Sequence, residues 1–506
     1  MKEGKYYKES ALLFSTFIIA ICGLIYELLA GTLSSYLLGD SIYQFSLTIG
    51  FFMSAMGVGA WLSRFIKDDL PRAFIYIQIA IAILGGVSAE VLFFAFSVIH
   101  NYYLIFFMVI ISLGAMIGIE IPLVIRILEK SSLRENLSNV FTADYIGALF
   151  AALIFPIVLL PKLGVMQTSF FVGFLNICVA LLAWFIFVEL KNRYKILLAI
   201  IATNILLFVG FFSANSVMDS LESRLYKGNI IYTKTTKYQR LTITKNRDRV
   251  RFFINGALQF DSIDEYRYHE MLVHPAMNRA LDRENILILG GGDGLALREI
   301  LKYKDVKSVI MVDLDPEVTK IFRSNLLLTS LNKNSLNSKK LTIINKDAWK
   351  FLQENQNLYD IIIIDLPDPN NISLSRLYTT TFYNLVKLNL SKNGIFTVQS
   401  TSPLFAREAF WSIYKSVSFE DNEFKIYPYH VYIPSFGEWG FILASRMNVD
   451  FNLFDSKIER RFIDQNVMKR SLLFSLDMSQ IDVEPNRLSN HLLIKYYNDG
   501  WVKWYE

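Results

Sequence analysis

The residues best suited to chemistry are carboxylates that follow short apolar runs in the second half of the chain. Asp313 directly follows VIMV, Asp347 follows LTII after two residues, and Asp365 directly follows IIII. A carboxylate at a strand end can accept hydrogen bonds from both hydroxyls of a ribose, and another can accept from an adenine amine. The spacing predicts an adenosine site with Asp313 at the ribose and Asp347 at the adenine. The alternative is that these aspartates only cap helices.

A glycine-rich turn, GGGDG at 290–294, follows the apolar run ILIL and precedes Asp313 by about 20 residues. Glycines at this place let the backbone approach a ligand closely. Because no lysine follows them, the turn is not a P-loop. The carboxylate of Asp293 would repel a pyrophosphate, which argues against a nicotinamide dinucleotide. It would suit a cationic ligand such as a sulfonium or an amine.

A second pair of carboxylates stands in the segment Asp365-Leu-Pro-Asp368-Pro. The prolines stiffen this segment, so both acids can meet one cationic substrate. An ammonium group must lose a proton before its nitrogen can attack carbon, and a placed carboxylate can accept that proton. We therefore predict Asp365 as the general base and Asp368 as a group that holds an amine. The alternative is a proline-rich turn with solvated acids.

These side chains need a sheet that brings their strands' ends together. Near-continuous apolar runs alternate with helical patterns and predict strands at 286–289, 309–312, 341–344, 361–366 and 394–400. Such runs indicate a parallel sheet with helices on both faces, which binds ligands beyond the carboxyl ends of its strands. We expect this α/β domain at 264–445, after a small antiparallel β subdomain at 216–263. Residues 446–506 are interpreted as a C-terminal subdomain or docking tail without chemistry.

The first 215 residues are of another kind. Apolar residues make up 53% of the chain, and most of the excess lies in this part. Spanning a bilayer takes roughly 20 apolar residues. Segments of that kind lie near 11–38, 43–63, 73–99, 102–125, 141–160, 165–188 and 196–213. They predict an all-α transmembrane bundle of about seven helices, in a multi-pass protein of the cell (inner) membrane.

Basic residues in the connecting loops give conflicting information on orientation. Lysine and arginine cluster in the loops at 64–72, 126–134 and 191–195, whereas the alternate loops contain only Lys162. This pattern places the N-terminus and the three basic loops in the cytoplasm. Seven crossings would then put the C-terminal domain outside, away from the cytoplasmic supply of an adenosine-containing ligand. We favour a cytoplasmic domain, with one segment re-entrant or interfacial, against the charge pattern.

Four acids lie within the apolar segments, namely Glu27, Glu90, Glu120 and Asp144. Carboxylates in hydrocarbon are costly, so they usually face a bundle interior or a wet cavity. One interpretation is a path for cations. The other is that the acids reach the interface, or are protonated and hydrogen-bonded between helices.

Composition excludes several other classes. The net charge of +5 is modest and the basic residues are scattered, which argues against nucleic-acid binding. The two cysteines, Cys22 and Cys178, are too few for a disulfide framework or a cysteine-based metal site. The five histidines are dispersed, which argues against zinc.

Taken together, these motifs resemble the spermidine synthase (polyamine aminopropyltransferase) family, and specifically its membrane-bound branch with an N-terminal helical region. The resemblance covers residues 237–445. It rests on Tyr238-Gln239, Tyr268-His269-Glu270, GGGDG at 290–294, DLD at 313–315, Asp347, DxxDP at 365–369, LYTTTFY at 377–383 and QSTSP at 399–403. The resemblance implies a Rossmann-like domain of the S-adenosylmethionine-methyltransferase type.

The resemblance also implies roles for residues of the site. The donor, decarboxylated S-adenosylmethionine, or the product methylthioadenosine would contact Gln239, Gly290, Gly292, Asp313, Asp347 and Ala348. The polyamine would contact Tyr268, His269, Asp293 and Asp368, with Asp365 as the proton acceptor. The implied reaction is direct displacement, in which a neutral amine attacks the aminopropyl carbon next to the sulfonium and no metal takes part. A homodimer or higher homo-oligomer is compatible with the sequence.

Several departures concern the acceptor more than the donor. Asn255 stands where the family often has aspartate, Ala348 replaces a usual glycine, and Leu366-Pro367 replace small hydroxylated residues. The segment IPSFGEWGF at 433–441 lacks the tyrosine that soluble members present to the substrate, and Glu438 or Trp439 are candidates to replace it.

Two other functions remain open at this point. A methyltransferase would use the same adenosine contacts, but it gives no reason for Asp293 and the acid pair at 365 and 368. A polyamine transporter or sensor would use the C-terminal half only to bind ligand, and the intramembrane acids would support it.

Overall fold

The structure is a computed structural model, and it describes residues 2–38, 41–98, 102–128, 133–187, 193–226, 228–419, 423–451 and 457–505. Two compact units divide the chain, Met1–Ile230 and Ile231–Glu506. Lys130 and Lys191, two of the basic loop residues, lie outside the described residues.

Long helices make up the described part of the first unit. They are α1 (Lys2–Leu38), α2 (Ser41–Leu62), α3 (Leu70–Val98), α4 (Tyr102–Leu128), α5 (Leu133–Ile154), α6 (Leu160–Ile186) and α7 (Arg193–Leu225). In the described residues, six stretches of helix are long and apolar enough to cross a membrane. The count is six because Leu137–Ile186 forms one stretch of 50 residues.

The fifth and sixth predicted segments are thus joined without the expected loop. A π-helical turn, Phe155–Leu159, connects α5 to α6. At about 1.5 Å per residue, 50 residues exceed what one crossing of a bilayer needs. Gly164 interrupts the stretch with non-helical backbone angles, φ 68° and ψ −173°.

The interior of this unit contains a buried acid and a close contact between two helices. Glu120 of α4 is buried and accepts a hydrogen bond from Gln78 of α3, whereas Glu27, Glu90 and Asp144 are half-buried. The contact favours hydrogen bonding between helices as the role of Glu120. Close packing is provided by Gly118, where a Cβ would lie 2.0 Å from the carbonyl oxygen of Met56 on α2.

The second unit begins with a four-stranded sheet of consecutive strands. These are β1 (Asn229–Thr235), β2 (Arg240–Asn246), β3 (Arg249–Ile254) and β4 (Ala257–Asp261). Asn255 and Gly256 join β3 to β4 with φ of 49° and 84°, as a tight hairpin requires. The Asn255 side chain accepts from the Arg240 backbone N–H at 2.8 Å. An asparagine therefore serves this turn where the family often has aspartate.

The start of the β subdomain differs from the prediction at 216. Helix α7 continues to Leu225, and β1 starts at Asn229. The sequence pattern marked only the apolar part of the helix. A helix can extend beyond it because its backbone hydrogen bonds are internal.

The larger sheet carries the predicted strands. In chain order its elements are α8 (Glu265–Met277), β5 (Asn285–Gly290), α9 (Leu295–Ile300), β6 (Ser308–Asp313), α10 (Pro316–Ser324), α11 (Leu326–Leu331), β7 (Leu341–Asn345), α12 (Ala348–Glu354), β8 (Tyr359–Asp365), α13 (Ile372–Ser375), α14 (Thr380–Leu388), β9 (Leu390–Gln399), α15 (Arg407–Ser418), β10 (Lys425–Ile433), β11 (Gly437–Ser445), α16 (Gln465–Ser471) and α17 (Leu492–Tyr505). The strand order is β10-β11-β9-β8-β5-β6-β7.

Five of these strands are parallel, and an antiparallel hairpin, β10 and β11, extends the sheet beside β9. The central strands are fully buried, with Ile286–Leu289 and Ile361–Ile364 at 0% exposure. Their runs are continuously apolar because both faces of the sheet are covered. The hairpin was not predicted, since β10 contains Pro428 and polar residues that obscure a strand pattern.

Candidate active site

The carboxyl ends of the parallel strands gather the predicted residues at one edge of the sheet. Gly290 at the end of β5 lies opposite Asp365 at the end of β8. On its other side β5 pairs with β6, which ends at Asp313. Asp347 follows the next strand, β7. The glycine turn therefore lies between the two halves of the candidate site.

Two glycines of the turn allow contacts that a side chain would prevent. Gly290 has a φ of +84°, and a Cβ there would lie 2.0 Å from the carbonyl oxygen of Asp365. A Cβ on Gly292 would lie 2.5 Å from Oδ2 of Asp313. The backbone N–H of Gly291 donates to the Asp365 carbonyl oxygen at 3.1 Å. The sequence thus needs glycine here to bring the ends of β5, β6 and β8 together.

Asp313 faces the glycine turn. Its Oδ2 accepts from the backbone N–H of Gly292 at 3.1 Å, and its Oδ1 accepts from that of Asp315 at 2.9 Å. Burial raises the pKa of Asp313 to about 7, against the effect of the two backbone hydrogen bonds. The charges of Asp315 and Asp293 raise this pKa as well.

The other residues predicted to bind the donor are Asp347, Ala348 and Gln239, and the contacts described for them do not involve the glycine turn. Asp347 caps α12 by accepting from the Lys350 backbone N–H at 3.2 Å, and it forms an ion pair with Arg376. Helix capping, the alternative role for such an acid, is therefore present at Asp347. Ala348 is the buried first residue of α12. Gln239 is half-buried just before β2, where its carbonyl oxygen accepts from the Thr236 backbone N–H at 2.9 Å.

On the other side of the glycine turn, α8 supplies two adjacent residues. The hydroxyl of Tyr268 donates to Oδ1 of Asp365 at 2.7 Å. The His269 ring contacts Glu265 at 2.8 Å, and Arg298 holds Glu265 with two hydrogen bonds of 2.9 Å. Burial opposes the charged imidazole, but the hydrogen bond that the ring donates to Glu265 and the charges of Glu265, Asp293 and Asp365 raise the pKa of His269 to about 9.

Two of the predicted carboxylates influence each other and His269. Asp293 accepts from the Leu295 backbone N–H at 2.9 Å. Burial raises the pKa of Asp293 to about 6; the charge of His269 opposes this shift and that of Asp365 adds to it. Burial also raises the pKa of Asp365, which His269 and Tyr268 lower. The pKa values of Asp293, Asp365 and His269 therefore depend on one another.

Asp368 is held by neutral hydrogen-bond donors. Its Oδ1 accepts from the Gln399 amide at 3.2 Å, and its Oδ2 accepts from the hydroxyls of Thr401 at 3.3 Å and Tyr497 at 3.0 Å. Burial raises the pKa of Asp368 to about 6, and these three hydrogen bonds oppose the shift. Among the residues that the structure describes, no lysine or arginine forms an ion pair with Asp293, Asp365 or Asp368.

Two residues that the sequence analysis left without a role hold the segment between the two acids. The Tyr378 hydroxyl contacts the carbonyl oxygens of Leu366 at 3.2 Å and Pro367 at 3.0 Å. The Gln399 amide donates to the Leu366 carbonyl oxygen at 2.7 Å and to the Tyr378 hydroxyl at 2.6 Å. Both residues belong to motifs that carry the family resemblance, LYTTTFY and QSTSP, and these motifs were the sequence feature that could have pointed to them.

Comparison with known proteins identifies the family. The spermine/spermidine synthase domain matches residues 265–453. The polyamine aminopropyltransferase of Leptospira interrogans serogroup Icterohaemorrhagiae serovar copenhageni is 43% identical over 495 residues, covering 97% of this chain and 99% of that protein. The chain belongs to the polyamine aminopropyltransferase family. Polyamine aminopropyltransferase 2 of Ralstonia nicotianae is 39% identical over 97% of this chain and 98% of its own length.

Family membership settles the reaction class. The protein is an aminopropyltransferase of polyamine biosynthesis, and its co-substrate is decarboxylated S-adenosylmethionine. This result favours aminopropyl transfer over the methyl transfer that the same fold could support. A solved spermidine synthase in complex with the transition state analogue AdoDATO matches 49% of this chain and 85% of its own, at 27% identity and a TM-score of 0.44.

Proposed function

We propose that this aminopropyltransferase is membrane-bound and uses an amine such as putrescine as acceptor, giving spermidine and methylthioadenosine. The observation that carries the proposal is the set of half-buried carboxylates, Asp293, Asp365 and Asp368, whose direct hydrogen-bond donors are neutral groups. Desolvated carboxylates are costly without opposite charge, and three acids need more of it than the single nearby charge of His269 supplies. A cationic amine and a sulfonium donor supply that charge.

The proposed roles follow the two sides of the glycine turn. Asp313 holds the ribose hydroxyls of the donor, and Gly290 and Gly292 let the backbone approach the nucleoside. Gln239, Asp347 and Ala348 complete the donor side. Tyr268, His269, Asp293 and Asp368 line the acceptor side, and Asp365 lies between the two sides at the end of β8.

The reaction is a single displacement. The amine reaches the site as an ammonium ion and gives one proton to the carboxylate of Asp365. Its nitrogen lone pair then forms a bond to the aminopropyl carbon next to the sulfonium. The carbon–sulfur bond breaks, and its electron pair returns to sulfur, so methylthioadenosine leaves as a neutral thioether. Tyr268 orients the Asp365 carboxylate through its 2.7 Å hydrogen bond.

The test is mass spectrometry of the products formed by the purified full-length protein. Given decarboxylated S-adenosylmethionine and a panel of amines, it is expected to produce an aminopropylated amine and methylthioadenosine in equal amounts, with putrescine among the accepted amines. S-adenosylmethionine serves as the control donor and should give no turnover. Methylthioadenosine formation with no amine of the panel aminopropylated would contradict the proposal.

The C-terminal unit is proposed to lie on the cytoplasmic side, where the donor is made. Asp248 is exposed in the turn between β2 and β3, and Lys67 is exposed in a basic loop of the helical unit. Both native cysteines, Cys22 and Cys178, are first replaced by serine. A single cysteine introduced at 248 or at 67 should then resist a membrane-impermeant maleimide in intact spheroplasts and react with it after lysis. Labelling of Asp248→Cys but not Lys67→Cys in intact spheroplasts would place the unit outside instead.

A further inference from the structure

The C-terminal helix α17 contacts the acceptor side of the site. The hydroxyl of Tyr497 on this helix donates to Oδ2 of Asp368 at 3.0 Å. Tyr497 lies beyond residues 265–453, which the family domain matches. Residues 446–506 were predicted to form a C-terminal subdomain or docking tail without chemistry, and Tyr497 of this segment contacts Asp368.

The sequence of α17 explains how Tyr497 is positioned. Leu493, Tyr497, Gly500 and Trp501 recur at helical spacing and share one face. Leu493 is fully buried, and the Trp501 ring lies 5.0 Å from that of Phe405. A Cβ on Gly500 would lie 2.7 Å from the Cα of Ala406. The glycine therefore lets the helix pack directly on the backbone before α15, which fixes Tyr497 over the end of the sheet.

The hydrogen bond restrains the Asp368 carboxylate, which no lysine or arginine of the described residues holds by an ion pair. Gln399 donates to Oδ1 of Asp368, while Thr401 and Tyr497 donate to Oδ2. The Gln399 amide is itself shared with the Leu366 carbonyl oxygen and the Tyr378 hydroxyl. The contact of Thr401 is longer, at 3.3 Å. Tyr497 thus makes the shortest of the three hydrogen bonds to Asp368.

The segment at 433–441, where soluble relatives were expected to present a tyrosine, uses its polar residues differently. Glu438 contacts the ring of His430 across the β10–β11 hairpin. Trp439 is buried, and its ring lies 5.1 Å from that of Phe436. The tyrosine that contacts Asp368 comes from the tail.

We propose that Tyr497 is a positioning residue for the amine acceptor, and that α17 is therefore part of the acceptor site. Its hydroxyl holds the Asp368 carboxylate in the orientation that meets the ammonium end of the acceptor. This inference rests on the proposed role of Asp368 in binding the amine. It makes the tail a determinant of acceptor affinity rather than only a docking segment.

Steady-state kinetics of Tyr497→Phe tests the inference in the full-length protein. The substitution keeps the ring and removes only the hydroxyl. We expect the KM for the amine to rise about tenfold, as for loss of a hydrogen bond to a charged group, with the KM for the donor unchanged. Tyr496→Phe is the matched control on the same helix and should leave both constants unchanged. An amine KM equal in the two variants would overturn the inference.

A double-mutant cycle with Asp368→Asn separates positioning from a purely structural role. If Tyr497 acts through Asp368, Tyr497→Phe should change the amine KM much less in the Asp368→Asn background than in the wild type. An equal change in both backgrounds would overturn the inference, because the effect would not pass through Asp368. Failure of the wild-type protein to aminopropylate any amine would instead count against the proposed function.

Discussion

Replacing Asp365 by asparagine is expected to lower kcat by about 10²–10⁴-fold, the usual contribution of a general base. Asparagine keeps the shape and can still interact with the Tyr268 hydroxyl, but it cannot accept the proton of the attacking amine. The proposed donor contacts lie on Asp313 and the glycine turn, so the Kd of the donor should stay close to the wild-type value. Single-turnover kinetics and calorimetry with the donor measure the two quantities separately.

The pH dependence provides a second measurement for the same variant. The base works only when ionised, and burial raises the pKa of Asp365 above its ordinary value. The wild-type single-turnover rate at saturating substrates should therefore fall as the pH falls, and Asp365→Asn should lose the part of this acidic limb that Asp365 contributes. Asp360→Asn, at the opposite end of the same strand, is the matched control because its carboxylate only accepts backbone hydrogen bonds of residues 284 and 285. Wild-type turnover in Asp365→Asn would assign the base to another group.

The parts of the site that could be predicted are those that strand order brings together. Apolar runs showed where β5, β6 and β8 end, and parallel strands place their carboxyl ends at one edge. Gly290, Asp313 and Asp365 therefore meet as expected, although they are far apart in sequence. No tertiary information was needed to align these residues, because β5, β6 and β8 end at Gly290, Asp313 and Asp365.

Contacts that depend on side-chain packing between distant segments could not be predicted in this way. Tyr497 belongs to a helix whose aromatic residues look like ordinary core positions, and nothing local relates it to Asp368. The clamp formed by Tyr378 and Gln399 on the 365–369 segment is similar, since it depends on hydrogen bonds across three elements. Hydrophobic periodicity reports which face of an element is buried, but not which polar atom it reaches.

Asp347 shows why residue type alone leaves two interpretations open. A carboxylate after a strand and before a helix can cap the helix and also face a ligand, because both use lone pairs of the same group. In the structure one oxygen caps α12 and the other pairs with Arg376. Asp313 differs because both of its oxygens accept from backbone N–H groups, those of Gly292 and Asp315, in the turns that follow β5 and β6. We therefore expect donor binding to depend more on Asp313 than on Asp347.

Replacing Asp313 by asparagine is accordingly expected to raise the KM for the donor by about 10–100-fold, with a smaller effect on kcat. The ionised carboxylate can accept from both ribose hydroxyls, and each hydrogen bond to a charged group is worth roughly 1.5–3 kcal/mol. Asparagine has one acceptor oxygen and would turn its amide toward the second hydroxyl. Asp305→Asn, an exposed site before the start of the same strand, is the control and should leave the donor KM unchanged.

The sign of the pH effect follows from the raised pKa. Burial raises the pKa of Asp313 to about 7, and we expect the donor to bind the ionised form. Donor affinity should therefore be constant at high pH and fall toward tenfold per pH unit below about 7. Asp313→Asn should have weak donor binding without this dependence, as calorimetry between about pH 6 and pH 8.5 would show. An unchanged pH dependence in the variant would mean that an acid other than Asp313 governs donor binding.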